Sequence, residues 1–488
     1  MLSFLKTIRN YEIIAFVTGF GLMAYELAAA RLLAPSIGSS TYIWTSVIGV
    51  IIAALSIGYA LGGTIADKRV KPSDIAWLLL AAAGGVLLTL VFADGTLRAL
   101  QSVNDPRWQG LLASLLLFAP ASFLLGIISP YLARLRTESL AHTGRAVASL
   151  SAMNAVGGIV GTFCVGFIFF GMIGSRETML IVVGLLAAAS WLILPKDRTF
   201  KRAALTAWIA FVAALQLMPA LPKGVAADID TPSSRYQVVN GEYFGARVRI
   251  LTMGPKGSQS GVYTNGSHEL VFDYTRHMAE LVDLAPRKAD VLILGGGAFT
   301  LPAYLADKHG DSHIDVVEID PELVEISKNY FGYFDRPNVA IHTQDARAFL
   351  NANQKKYDLV LVDVYSDTSI PFAVTTEEYA AQLKRATKDD GAVIVNAIGA
   401  NTAACGPLLR SIHGSYLTQF KDYKVQPLRD SQMRGLQNIA ITYANQPLDW
   451  VGSDDVKLTG DIRLTDNFAP LEQLQQQCWD GEYAQKEN

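Results

Sequence analysis

Up to Pro222 the chain alternates long apolar runs with short charged loops. A membrane-crossing helix needs about 20 apolar residues. Seven runs have that character, at about 12–34, 42–66, 75–93, 109–133, 147–170, 177–195 and 203–221. They predict an N-terminal all-α transmembrane bundle of about seven helices over 1–222. No Asp, Glu, Lys or Arg occurs from Leu32 to Ala66, too long a stretch for one helix, and Pro35, Gly38 and Ser39-Ser40-Thr41 divide it. The first run lacks a small-residue cleavage site and reads as an anchor. After Pro222 the pattern shortens. Tyr236–Asn240, Ala246–Met253, Gly261–Tyr263 and Glu269–Tyr274 read as strands separated by turns such as Asn265-Gly266, a small antiparallel β unit over 223–275. From 276 to 488 apolar strands alternate with helical periods: Asp290–Leu294, Ile314–Val317, Val339–His342, Leu359–Val362 and Ala392–Asn396. That alternation predicts an α/β Rossmann-like domain of the class I methyltransferase type.

Charge adds a direction. Lys6, Arg9, Lys68, Arg69, Lys71, Arg134, Arg136, Arg145, Lys196, Arg198, Lys201 and Arg202 fall on alternate loops, and the positive-inside rule assigns that side to the cytoplasm. Seven spans then place the C-terminal domain outside it, making a multi-pass membrane protein with the lipid bilayer as a partner. Glu26 and Arg31 lie within an apolar run, where each needs a partner or a wet cavity; a structural ion pair and a transport pathway are both open. Gly58 with Gly62, and Gly157 with Gly161, mark close helix contacts. Composition is 51% hydrophobic and 17% charged with a net charge of −3, so no broad basic surface calls for nucleic acid. Cys164, Cys405 and Cys478 have no zinc-type spacing, and no metal is expected. A Cys405–Cys478 disulfide is open if the domain lies outside the cytoplasm.

The candidate chemistry sits at the predicted strand ends. In a doubly wound sheet, ligands bind beyond the C-terminal ends of the strands. Gly295-Gly296-Gly297 follows the first α/β strand, and Glu318, Asp345 and Asp363 follow the next strands in turn. Glycines let the backbone approach a ligand, and a strand-end carboxylate can accept both ribose hydroxyls. The set predicts nucleoside binding.

Tyr236-Gln237, Gly295-Gly296-Gly297, Val317-Glu318-Ile319-Asp320, Asp345-Ala346-Arg347 and the segment from Asp363 to Pro371 resemble the spermidine synthase (polyamine aminopropyltransferase) family. The chain looks most like the branch in which that domain is fused to membrane helices. The resemblance implies a transferase for polyamine biosynthesis, moving an aminopropyl group from decarboxylated S-adenosylmethionine to a polyamine such as putrescine. Related methyltransferases use S-adenosylmethionine itself. It also implies that Glu318 holds the ribose, Asp345 the adenine and Gln237 the donor near its thioether end. Asp363 faces the amine, Asp367 stands for the loop's second acid, and Tyr236, Arg276, His277 and Tyr365 line the substrate. A homodimer is a family-level expectation. Two positions depart from the family pattern: Ala298-Phe299 replaces Asp-Gly after the glycines, and Asp273-Tyr274-Thr275-Arg276-His277 replaces a more acidic stretch. Arg276 there suits an acidic group, which keeps open a methyltransferase. The helical half keeps open a transporter or sensor with a non-catalytic nucleoside- or polyamine-binding domain.

Overall fold

The computed structural model of the protein describes residues 2–38, 40–68, 70–100, 102–103, 105–137, 143–193, 199–216, 224–231, 233–253, 257–365, 370–452 and 457–486. The chain forms two compact units. Met1–Leu221 with Ile229–Arg235 makes one, and Pro222–Asp228 with Tyr236–Asn488 makes the other.

Each of the seven apolar runs is largely helical over its described residues. They fold as Leu2–Ile37 (α1), Thr41–Lys68 (α2), Pro72–Leu100 (α3), Pro106–Leu117 (α4), Ala119–Arg136 (α5), Thr143–Cys164 (α6), Phe170–Met172 (α7), Gly174–Ser190 (α8) and Thr199–Gln216 (α9). Asp105 caps α4 by accepting from the Arg107 amide. The fourth run is broken at Phe118, and α4 and α5 meet at 52°. Among the described residues four helices are long and apolar enough to cross a membrane, or five if the bent pair counts as one span. Helix α8 has 17 residues, a rise of about 25 Å against a hydrocarbon core of about 30 Å. Helix α9 carries Lys201 and Arg202 in its first turn. Length and composition thus support four or five of the seven expected spans.

Small residues set the packing. A methyl group on Gly58 or Gly62 would run into backbone at Phe123 or Ile127 of α5, and one on Gly157 or Gly161 into backbone at Phe16 or Phe20 of α1. Those contacts are the close approaches that the glycine spacing predicts. Helix α1 lies antiparallel to α8: Asn10 donates to the Leu192 carbonyl (2.8 Å) near one end, and Arg31 stacks over the Phe170 ring (4.3 Å) near the other. At that second end Arg31 also donates to the Thr231 carbonyl (2.5 Å) and pairs with Asp230 (3.8 Å), whose other oxygen accepts from the Ser175 amide (2.6 Å). The partner of Arg31 is therefore the segment that follows the helices, which sequence spacing alone does not reveal.

The second unit holds two sheets. Val225–Asp230 (β1), Arg235–Tyr243 (β2), Ala246–Met253 (β3) and Gly257–Tyr263 (β4) form a four-stranded sheet in sequential order. The strand expected at 269–274 is absent among the described residues. Arg276 explains this, because its guanidinium takes the Leu270 and Val271 carbonyls that a ladder would otherwise use. Asp273–Leu284 (α10) begins there instead, burying Thr275, Met278 and Val282 on one face.

Asp290–Leu294 (β5), Thr300–Lys308 (α11), His313–Glu318 (β6), Glu322–Tyr330 (α12), Val339–Thr343 (β7), Ala346–Ala352 (α13), Tyr357–Val362 (β8), Glu377–Ala386 (α14), Thr387–Gly399 (β9), Gly406–Leu417 (α15), Asp422–Pro427 (β10), Gln437–Ala444 (β11) and Leu471–Lys486 (α16) follow. The seven-stranded sheet runs β10-β11-β9-β8-β5-β6-β7. Strands β5 to β9 are parallel, and the β10–β11 hairpin pairs antiparallel with β9. Strand β8 is buried along its whole length, as a strand covered on both faces must be. The order reverses between β5 and β8, so a crevice opens beyond their C-terminal ends. Cys405 and Cys478, 73 residues apart, are joined by a disulfide.

Candidate active site

The crevice is built from what each strand delivers at its end. After β5, Gly295 turns with φ +96°, and a Cβ there would collide with the Asp363 carbonyl across the strand pair; only glycine permits this approach. Strand β8 then ends in Asp363. Register does the rest: Val362 pairs with Val395, which brings Asn396 of β9 alongside Asp363. The Asn396 side-chain amide donates to the Asp363 carboxyl (2.8 Å), and its oxygen accepts from Asn438 (3.0 Å). The Tyr365 hydroxyl donates to the Asn396 carbonyl (2.7 Å) and accepts from the Ile398 amide (2.9 Å). Tyr274 donates to the Gln259 carbonyl (2.8 Å) and lies within hydrogen-bonding reach of Asp363.

Asp363, Tyr243, Phe272, Tyr274 and Tyr365 line a cavity of about 290 Å³. Burial pushes the Asp363 carboxyl up to about 6, with Asn396 and Tyr274 pulling the other way. Burial also pushes the Tyr274 and Tyr365 hydroxyls well above the ordinary tyrosine range, so both stay neutral. Asp273 lines the cavity too but is paired with Arg276; the Asp363 carboxyl among aromatic faces is a setting that attracts an ammonium ion, since ring faces and a carboxylate both favour positive charge.

The neighbouring hollow beside the triple glycine is different. It measures only about 20 Å³ and also ends at Asp363. Glu318 turns into the protein: one oxygen accepts from the Gly296 and Gly297 amides (2.8 and 3.2 Å), the other from the Asp320 amide (3.1 Å). Burial raises its pKa, and those three amides oppose the rise. Phe299 holds a left-handed backbone (φ +55°) with its side chain 0% exposed; its ring lies beside Gly296 and against Tyr333. From β4, Ser260 accepts from the Ala298 amide (2.9 Å) and presses on Gly297.

The other sequence-selected residues are dispersed. Asp345 is exposed and caps α13 by accepting from the Ala348 amide. Gln237, on β2, donates to Asp228 (3.0 Å). Tyr236 is buried beside it. Arg276 spends its guanidinium on Leu270, Val271, Tyr263 and Asp273, and His277 lies 3.5 Å from Glu280. Neither lines the cavities at Asp363, so the reading of both as substrate contacts finds no geometric support. Asp367 falls outside the described residues. Asn396, Tyr274, Tyr243, Phe272 and Arg429 are site residues that sequence reading missed. Asn396 had a signal, since it ends the strand expected from sequence at Ala392–Asn396, which folds as part of β9 beside β8. A third cavity, about 670 Å³, runs along α11 beside Tyr304 and Tyr333. Its Arg336 and Lys308 are committed to Asp307 and Asp283, and it holds no strand-end acid. Among the described residues no His, Cys, Asp and Glu cluster could hold a metal ion.

Residues 271–409 match the family described as "Spermine/spermidine synthase domain". A polyamine aminopropyltransferase of Vibrio vulnificus is 31% identical over 130 residues, 26% of this chain and 44% of that protein. The match thus spans less than half of that relative. Polyamine aminopropyltransferase 1 of Streptomyces coelicolor is 24% identical over 399 residues, covering 76% of this chain and 72% of its own length. Among solved structures, a probable spermidine synthase from Corynebacterium glutamicum aligns with a TM-score of 0.40 at 21% identity, over 47% of this chain and 82% of that one. Residues 271–409 of this chain are thus similar to a spermine/spermidine synthase domain, and the relatives it resembles are polyamine aminopropyltransferases.

Proposed function

We propose that the chain is a membrane-anchored aminopropyltransferase-like enzyme whose amine acceptor binds in the 290 Å³ cavity at Asp363. The observation that carries this reading is the Asp363 carboxyl, raised to about 6, set among aromatic walls at the end of the switch-point strand. An amine reaches the site as an ammonium ion and attacks only after losing a proton. Asp363 orients it and accepts that proton or passes it to water. A bound adenosyl sulfonium supplies the electrophilic carbon: the C–N bond forms, the C–S bond breaks, and the sulfur keeps the electron pair as a neutral thioether. The resemblance assigns ribose to Glu318 and adenine to Asp345, but neither lines the glycine hollow: Glu318 is bonded to the loop amides and Asp345 caps α13. As it stands the glycine hollow, about 20 Å³, is far below the roughly 300 Å³ of small-molecule sites, so a donor enters only after groups around the glycine loop shift. Purified full-length protein given decarboxylated S-adenosylmethionine and a panel of amines is expected to release methylthioadenosine. No release with any amine would overturn the reading.

The closed hollow favours a second reading, an amine-binding sensor. Amine binding with no turnover, unchanged when Phe299 is replaced by glycine, is its signature.

We also propose that the apolar helices lie in a bilayer with the synthase domain on the extracytoplasmic side. Two observations support this. The more basic loops fall on one side. The Cys405–Cys478 disulfide is of a kind that persists in oxidising compartments. A reporter fused after residue 488 is expected to be active only outside the cytoplasm; activity only inside refutes the placement.

A further inference from the structure

The cavity at Asp363 has a charged mouth as well as a charged floor. Arg429 lines it, and the side chain is in hydrogen-bonding reach of the Tyr243 hydroxyl. Its position is built rather than incidental. The amides of Arg429 and Asp430 both donate to the side-chain oxygen of Gln437 (2.7 and 3.0 Å), and the Gln437 amide returns a bond to the Asp430 carbonyl (2.8 Å). Gln437 is itself buried, so the loop between β10 and β11 holds Arg429 in place. Asp273, the acid also lining the cavity, is already paired with Arg276 (3.1 Å). Among the described residues no carboxylate lies within ion-pair distance of Arg429. The cavity therefore presents a carboxyl at its floor and an uncompensated guanidinium at its mouth.

We infer that Arg429 selects an acceptor carrying a carboxylate as well as an amine: an amino-acid-like zwitterion, with its amine at Asp363 and its carboxylate at Arg429, rather than an α,ω-diamine. A diamine would bring a second ammonium toward Arg429, where like charge repels; a carboxylate meets a planar donor fork suited to two parallel hydrogen bonds. This rests on the proposal that the Asp363 cavity is the amine site, and it names the substrate class of that site.

The test is calorimetric binding of 4-aminobutyrate, ornithine and putrescine to the full chain in detergent micelles without donor, followed by methylthioadenosine release with donor present. The carboxylate-bearing amines are expected to bind at least about tenfold more tightly than putrescine. Arg429→Glu should reverse that order and Arg429→Lys should keep it. Tighter putrescine binding by the unaltered chain, or an order that Arg429→Glu leaves unchanged, overturns the inference. So does a loss of S-adenosylmethionine binding in Arg429→Glu with no change among the amines, which assigns Arg429 to a donor carboxylate. Tight zwitterion binding with no product from any amine leaves the inference standing and defeats the transferase reading instead.

Discussion

Two hollows meet at Asp363, and they are in opposite states. The aromatic one measures about 290 Å³ and the glycine one about 20 Å³. Both lie beyond the same strand ends, so topology does not explain the difference. The side chains do. Tyr274 and Tyr365 on the aromatic side are tied by their hydroxyls to backbone, which holds their rings as walls. On the glycine side the loop amides are already taken by side chains: those of Gly296 and Gly297 by Glu318, that of Ala298 by Ser260. A site whose polar groups are already paired has to exchange those bonds for a ligand's. The comparison teaches that the aromatic side is pre-formed, whereas on the proposed donor side a ligand would have to exchange existing bonds for its own.

The largest effect expected is at the shared residue. Asp363→Asn keeps the shape of the cavity and removes the base, so turnover should fall by about 10²- to 10⁴-fold. A fall under threefold, measured as methylthioadenosine release, would break the link between the cavity and chemistry.

The same variant carries a stability effect of opposite sense. Folding raises the Asp363 carboxyl from 3.8 to about 6, so the native state binds more protons than the unfolded chain between those values. Its stability therefore falls as pH rises through that window. Two pH units correspond to at most about 3 kcal/mol. Above pH 7, Asp363→Asn is thus expected to unfold at a higher temperature than the unaltered chain, with the gap closing below pH 4. An unchanged gap across that range would show that the carboxyl is not held in a desolvated setting.

Sequence reading reached the strand ends because apolar strands and the carboxylates after them are local patterns. Glycine at 295 and the acids at 318, 345 and 363 occupy strand ends where the alternation put them. It did not reach side-chain direction. Arg276 has the charge to suit a ligand, yet the carbonyls of Leu270 and Val271 claim it, a choice decided by which backbone groups lack a ladder partner. Arg429 enters from a hairpin loop 66 residues after Asp363, and no periodicity links the two. The fourth apolar run reads as one span; the break at Phe118 shows only in the fold. The disulfide was one of several possible states of three distant cysteines, and only proximity selects it.

The smallest effect, and the most direct probe of the closed side, is expected from Phe299→Gly. The native backbone at this position is left-handed, which costs a phenylalanine roughly 1–2 kcal/mol and costs glycine nothing. Against that gain stands the loss of a fully buried ring, about 3–5 kcal/mol by analogy with truncations to alanine. The variant should therefore be less stable by about 1–4 kcal/mol and still fold. What it gains is space beside Gly296, where the ring now sits. If Phe299 is what shuts the hollow, affinity for an adenosyl donor, read by calorimetry on the full chain, rises about tenfold while amine affinity stays level. If donor affinity stays level too, closure rests with Glu318, and Glu318→Gln becomes the variant that separates a closed donor site from one that never opens. A carboxamide keeps one acceptor for the loop amides yet cannot accept both ribose hydroxyls as an ionised carboxylate does. Donor binding lost in Glu318→Gln marks an opening site, and donor binding absent in every variant marks an amine sensor.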